Sequence, residues 1–344
     1  MNIKEDHLSN DFKTFTFSNS HGMSVQALNQ GGIITEINVP DQTGTIENVV
    51  LSYQDYEDYI EDPNYFGAII GRVAGRIEAA SFQINGEEFQ LDQNDGVNSL
   101  HGGNRGFHTK KWDASPFQTE DSAGVVFTYR SPHLEGGYPG NITAAVTYTL
   151  NNNNQLIIDY SAVSDHDTPI TLTNHSYFNL SGNMQRTIGN HEVQINSDGF
   201  VELDENLIPT GKILDVGNTV FDLRKSAPLE PLLHSSDKQI QLANGGFDHY
   251  FLLNPNSNKH AVVKDEESGR ILELQTNQQG LVFYTGNNLT DGRKLAHSQW
   301  KKHLGLCLET QASPASLHHD GFPSVCLKAG ETYERQTIFT FKTM

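Results

Sequence analysis

Hydrophobic and polar positions alternate through most of the chain. In "NITAAVTYTL" one face carries Ala144, Val146, Tyr148 and Leu150, and the other Thr143, Ala145, Thr147 and Thr149. A period of two is that of a strand with one buried face. Asn151–Asn154, "NNNN", follow, then "QLIIDYSAV". Asn accepts left-handed backbone, so the pair predicts a hairpin. Runs of the same kind recur in "KTFTFSN", "MSVQALN", "ITEINVP", "HEVQINS", "HYFLLNP", "RILELQT", "LVFYTG", "GLCLETQ" and "RQTIFTFK". Helical spacing is confined to "YQDYEDYIED" (Tyr53–Asp62) and "APLEPLLH" (Ala227–His234). Strands spread this evenly, without long helices between them, disfavour a parallel α/β sheet. They predict an all-β protein, a large antiparallel β-sandwich with a few short helices. With no repeat and no low-complexity linker, residues 1–344 are expected to form a single domain.

Composition narrows the partners. The 344 residues carry a formal net charge of −19, which argues against nucleic acid or an anionic membrane. The two cysteines, Cys307 and Cys326, make neither a disulfide framework nor a CxxC zinc pair. The start of the sequence is polar, and there is no apolar run of about 18 residues, the length that reads as a membrane span. A cytoplasmic protein with reduced thiols is expected. His318 and His319 in "SLHHDGF" point apart on an extended chain and predict no metal site. GxSxG, HExxH, GxxxxGK[ST] and GxGxxG are absent, which removes the commonest hydrolase, zincin and nucleotide-binding signals. The exposed edges of such a sandwich are compatible with a homodimer.

Five segments hold candidate chemistry. "TLTNHSYFNL", Thr171–Leu180, reads as one strand with His175 and Tyr177 on the same face. In "NSLHGG" two glycines follow His101, so the backbone turns where the imidazole is displayed; a surface histidine in a turn is the bland alternative. "GRVAGRIEAA" holds Arg72 and Arg76, either ligand-binding forks or partners for acids. Asp248 opens the aromatic strand "FDHYFLL", where it either accepts hydrogen bonds from hydroxyl groups or caps a turn. Glu309 in "GLCLETQ" shares a face with Cys307 and Gln311. A carboxylate among aliphatic residues is costly if buried and often functional; an edge strand facing water is the other reading.

The segments "YFGAIIGRVAGRI", "NSLHGG", "TLTNHSYFNL", "FDHYF", "FYTGN" and "CLETQ" together resemble the galactose mutarotase (aldose 1-epimerase) family over essentially the whole chain. The resemblance implies a sugar cleft on a concave sandwich face. It implies interconversion of the α and β anomers of free aldohexoses, without metal or organic cofactor. By matching position Glu309 is the expected general base and His175 the expected general acid. His101, Arg76 and Asp248 are expected to hold the sugar, and Tyr177 to line the same cleft. The pair of acids Glu309 and Asp248 is expected to raise the His175 pKa. Two positions depart from the family pattern. Gly75 stands where Asn is common, and Val282 where many members carry Gln, so hydroxyl preference is expected to differ. A hexose-6-phosphate epimerase and a non-catalytic sugar-binding protein are the alternatives on the same fold; a glycosidase would use two carboxylates.

Overall fold

The computed structural model describes residues 1–289 and 292–344. Three antiparallel sheets make up the body. The first has five strands in chain order: Asn2–His7, Lys13–Ser18, Ser24–Leu28, Ile33–Pro40 and Ile46–Asn48. The second has nine. In spatial order they are Asp113–Gln118, Ser122–Ser131, Ile142–Asn151, Gln155–Ser164, Thr332–Thr343, Arg270–Thr276, Ala261–Asp265, Glu192–Ile195 and Ala227–Pro228. The third has six: Tyr177–Phe178, Leu306–Gln311, Gly280–Tyr284, Asp248–Leu253, Ser197–Leu203 and Pro209–Asp215.

The long hairpin predicted from alternation is present. Ile142–Asn151 pairs with Gln155–Ser164 in the register Leu150↔Leu156, and Asn154 takes a φ of 55° in the turn. Ala144, Val146, Tyr148 and Leu150 are all buried. The nine-stranded sheet is the common wall of the sandwich. Phe15 of the five-stranded sheet meets Phe127 edge-on at 6.0 Å, and Phe178 of the six-stranded sheet meets Phe339 at 5.1 Å. One apolar cluster includes residues of all three sheets. Burying each such side chain contributes about 1.5–3 kcal/mol.

Helical structure is sparser than the sequence suggests. Tyr53–Asp62 forms only a 3-10 turn at Tyr56–Tyr59, where Tyr59 is buried and its hydroxyl accepts the Tyr53 N–H at 3.0 Å. Leu229–Leu233 is helical and buries both end leucines. A second short helix, Lys238–Leu242, was not expected; the Asp237 side chain caps it by accepting the Gln239 N–H at 2.8 Å. Among the described residues no helix is long and apolar enough to cross a membrane.

The segment Thr171–Leu180 is not one strand. Thr173–Asn174 pairs with Ile69–Ile70, whereas Tyr177–Phe178 pairs with Leu306–Cys307. The break is chemical. Asn174 Oδ1 accepts from both the Ser176 N–H at 3.1 Å and the Ser176 hydroxyl at 2.6 Å, an Asx turn that takes these donors out of the ladder. His175 stands at this break, and its peptide is held on both sides. Its N–H donates to Ala68 O at 3.0 Å, and its carbonyl accepts from the Gly67 N–H at 3.0 Å.

Candidate active site

Glu309 lies on an interior strand. Leu306–Gln311 is buried at every position and is flanked by Tyr177–Phe178 on one side and Gly280–Tyr284 on the other. The edge-strand reading is therefore excluded. Glu309 is 2% exposed, and Val282 is its partner across the ladder. His175 is 4% exposed, with Nε2 3.4 Å from Glu309 Oε1. The other ring nitrogen, Nδ1, lies 3.6 Å from the buried Cys307 sulfur. The Tyr177 ring packs 5.0 Å from the imidazole.

His101 and Gly75 hold each other reciprocally. The His101 N–H donates to Gly75 O at 3.1 Å, and the Gly75 N–H donates to His101 Nδ1 at 3.2 Å. His101 sits at a φ of 54°, with Gly102 and Gly103 also at positive φ, so the glycines serve the sharp turn read from the sequence. The Arg76–Ile77 strand pairs with Ser99–Leu100 and so carries Arg76 to the same rim. Arg76 Nε donates to Asp95 at 2.7 Å, and its Nη1 lies 3.5 Å from Asp248 Oδ2. Asp248 opens its strand opposite Tyr284 rather than capping the preceding turn, and its N–H donates to the His249 ring at 3.1 Å.

All six predicted residues line one cleft of about 200 Å³ that opens to solvent. Residues that sequence reasoning missed complete the wall: Tyr65, Tyr250, Tyr284, Gln311 and Leu203 among them. Gln311 had a visible signal, being two residues after Glu309 on the same face. Leu203 comes from the far end of the six-stranded sheet and had none. The two departures from the family pattern, Gly75 and Val282, both line the cleft. Gly75 has a φ of +88°, and a Cβ there would approach Pro314 to 3.0 Å. Asn, common at this place in the family, is the side chain that best tolerates such backbone.

Burial governs the charges. It pushes the Glu309 carboxyl well above the usual carboxylate range; Asp248 adds to the rise and Arg76 opposes it. Asp248 itself is raised to about 6, burial outweighing the neighbouring Arg76. Burial lowers His175 to about 3. The expectation of a raised histidine is thereby corrected: removing an imidazolium from water costs more than the nearby acids return. His101 is also held well below its ordinary value, by burial and then by His175 and Arg76.

Arg72 does not reach the cleft. It is 2% exposed and donates to Ser131 Oγ at 2.8 Å and to the carbonyls of Pro132 at 2.8 Å and Pro139 at 2.7 Å. His318 Nε2 donates to Ser81 O at 2.8 Å. Among the described residues one group has metal-ligand spacing: atoms of His101, His175 and Glu309 lie within 4.8 Å of one another. The donor set does not fit a cation. Because His101 Nδ1 accepts the Gly75 N–H, the ring proton is on Nε2, and a protonated nitrogen donates a hydrogen bond instead of ligating.

An antiparallel sandwich with a buried imidazole–carboxylate contact in a polar, open cleft has the features of a protein that handles an uncharged polar ligand by acid–base chemistry. The aldose 1-epimerase family model matches residues 13–340. Human galactose mutarotase is 43% identical over 322 residues, 93% of this chain and 91% of the relative. Aldose 1-epimerase of Streptococcus thermophilus is 34% identical over 341 residues, 97% of this chain and 95% of the relative. Galactose 1-epimerase from Lactobacillus acidophilus superimposes with a TM-score of 0.88 at 32% identity, covering 99% of this chain and 98% of that one. The chain belongs to the aldose 1-epimerase family, isomerases that act on carbohydrates.

Proposed function

We propose that the enzyme interconverts the α and β anomers of a free aldohexose in the cleft, with Glu309 as the base at O1 and His175 as the acid at the ring oxygen. The contact of 3.4 Å between His175 Nε2 and Glu309 Oε1 carries this reading. Anomer exchange requires the hemiacetal to open, the C1–C2 bond to turn by about half a revolution, and the ring to close on the other carbonyl face. The base takes the O1 proton while the acid protonates the ring oxygen. On closure both transfers reverse, so one pair serves both directions.

The pair needs one proton in total. Glu⁻ with HisH⁺ and GluH with neutral His hold the same number and differ only in which side chain carries it. The second arrangement is the one present with the open-chain aldehyde. Burial raises Glu309 and lowers His175, so the dry site favours the uncharged arrangement. It thereby adds driving force to the proton transfers of ring opening, onto Glu309 and off His175. His101, with its proton on Nε2, is a donor for a sugar oxygen. Asp248 accepts from hydroxyls, and Arg76 donates to them, while the C1 end stays free to rotate.

Galactose is the substrate named in the relatives, and it is the first hexose to assay. A hexose 6-phosphate fits less well, because Arg76 is already paired with Asp95 and Asp248. Single-domain organisation is supported by the apolar cluster that joins all three sheets, and a cytoplasmic setting by the two free cysteines. The test is polarimetry on fresh α-galactose, α-glucose and α-glucose 6-phosphate. Acceleration with the two free sugars and little with the phosphate is expected; no acceleration with any of them overturns the proposal.

A further inference from the structure

Tyr65 stands where a tyrosine is costly. Its φ is +59°, a left-handed conformation that Gly or Asn adopts readily and a bulky aromatic rarely does. The turn that imposes it is firmly made. Asp62 accepts the N–H groups of Asn64 at 2.8 Å and Phe66 at 2.5 Å, and the Ala68 N–H closes on Tyr65 O at 3.1 Å. The same turn presents Gly67 N–H and Ala68 O to the two sides of the His175 peptide. The backbone that strains Tyr65 is therefore the backbone that places His175.

The ring produced by this conformation touches three imidazoles. It lies edge-on to His101 at 4.8 Å and to His108 at 4.8 Å, and tilted against His175 at 5.8 Å. Tyr65 also lines the cleft. Two other cleft tyrosines spend their hydroxyls on the protein: Tyr250 donates to Gln311 O at 3.2 Å, and Tyr284 accepts the Asn288 N–H at 3.0 Å. Among the described residues the Tyr65 hydroxyl has no hydrogen-bond partner, and it is not among the atoms sealed from solvent. Burial, with Asp62 next, raises its pKa to about 12, so it remains a neutral group that both donates and accepts.

We propose that Tyr65 is a further substrate-binding residue, whose hydroxyl bonds one hydroxyl of the pyranose while its ring fixes the planes of His101 and His175. This rests on the sugar reading of the cleft. The role suits an uncharged polyol and gives an otherwise unfavourable backbone a function at the site.

The test uses the full chain, polarimetry, and the series galactose, 2-deoxygalactose, 3-deoxygalactose, 4-deoxygalactose and 6-deoxygalactose. Tyr65→Phe keeps the ring and removes only the hydroxyl. It is expected to raise KM for galactose about three- to tenfold, the loss of one hydrogen bond, with a smaller change in kcat. The ratio of variant to wild-type KM should fall to near one for the single deoxy sugar that lacks the bonded hydroxyl. Tyr65→Asn keeps the left-handed backbone and removes the ring; kcat should drop about tenfold as the imidazoles lose their support, with the circular dichroism of the wild type. A Tyr65→Phe variant with wild-type KM for every sugar overturns the proposal, whatever Tyr65→Asn does. Wild-type protein that accelerates none of the sugars refutes the sugar reading itself, so the two failures are distinguishable.

Discussion

His175 Nε2 faces Glu309 Oε1 at 3.4 Å, and both side chains are almost wholly buried. The two come from different places in the chain, one at the break between two short strands and one inside a continuous strand. Burial disfavours a charge on either group, and the contact couples their protonation states.

Removal of either group should therefore stop the chemistry while leaving the fold. Glu309→Gln and His175→Asn are each expected to lose about 10²–10⁴ in kcat, the usual contribution of a positioned acid or base. Rates of optical relaxation on fresh α-galactose check this. Near-wild-type turnover in either variant would show that the roles lie elsewhere.

Cys307 should matter through His175. If protons come and go at Nε2, the hydrogen on Nδ1 stays in both charge states, and the Cys307 sulfur 3.6 Å away is its neutral acceptor. A thiol steadies the ring without stabilising the imidazolium, as a carboxylate would. Cys307→Ser should keep activity within a few-fold. Cys307→Val leaves a buried N–H unpaired, at about 1–3 kcal/mol, and should reduce kcat about tenfold with little effect on KM. Equal kcat in the two variants would argue against the contact.

Asp248 should set the acid limb of kcat/KM. Its pKa is raised to about 6, so it is a charged acceptor above that pH and is neutralised below it. Activity at low substrate is expected to fall as pH drops through about 6. In Asp248→Asn that limb should vanish and KM should be higher throughout. Retention of the same limb in the variant would assign it to another group.

Acid should also unfold the protein early. His175 and His249 are pushed down to about 3, His108 and His191 to about 4, and His101 well below its ordinary value, in each case chiefly by burial. Folded-state values below the unfolded one give stability that is present above about pH 6.5 and lost as pH falls toward them. Glu309 and Asp248 are raised and act in the opposite sense. Five groups against two leave the unfolded state with more bound protons, and each net proton is worth about 1.4 kcal/mol per pH unit. The midpoint of urea unfolding should move down from pH 7 to pH 4.5. His249→Gln, at a ring that packs on Phe221 and does not line the cleft, should make the dependence shallower; a flat or rising profile in the wild type would contradict the account.

Val282→Gln tests the cleft wall. Val282 is the ladder partner of Glu309 and faces the same space. An amide there adds a donor and an acceptor to the cleft wall beside Glu309. KM should change for at least one hexose while kcat stays within about twofold. Identical KM values across glucose, galactose and mannose would remove Val282 from the determinants of preference.

Much of the site was legible because it broke local rules. A carboxylate between aliphatic residues marked Glu309, and a ring among threonines marked His175. The hairpin at Ile142–Ser164 followed directly from its alternation. Continuity of Thr171–Leu180 was misread because the Asn174 side chain satisfies Ser176 locally, an outcome that periodicity does not encode. The sign of the His175 shift was misread for another reason: how dry a position is depends on what packs over it from distant segments. Tyr65 escaped notice since a positive φ at an aromatic residue is dictated by the surrounding turn and leaves no mark in composition.

The perch of the His175 imidazole is made of peptide groups, Gly67 on one side and Ala68 on the other, whereas the cleft wall around it is made of replaceable side chains such as Val282 and Leu203. A lineage can therefore change the cleft wall one residue at a time and keep the imidazole where it stands.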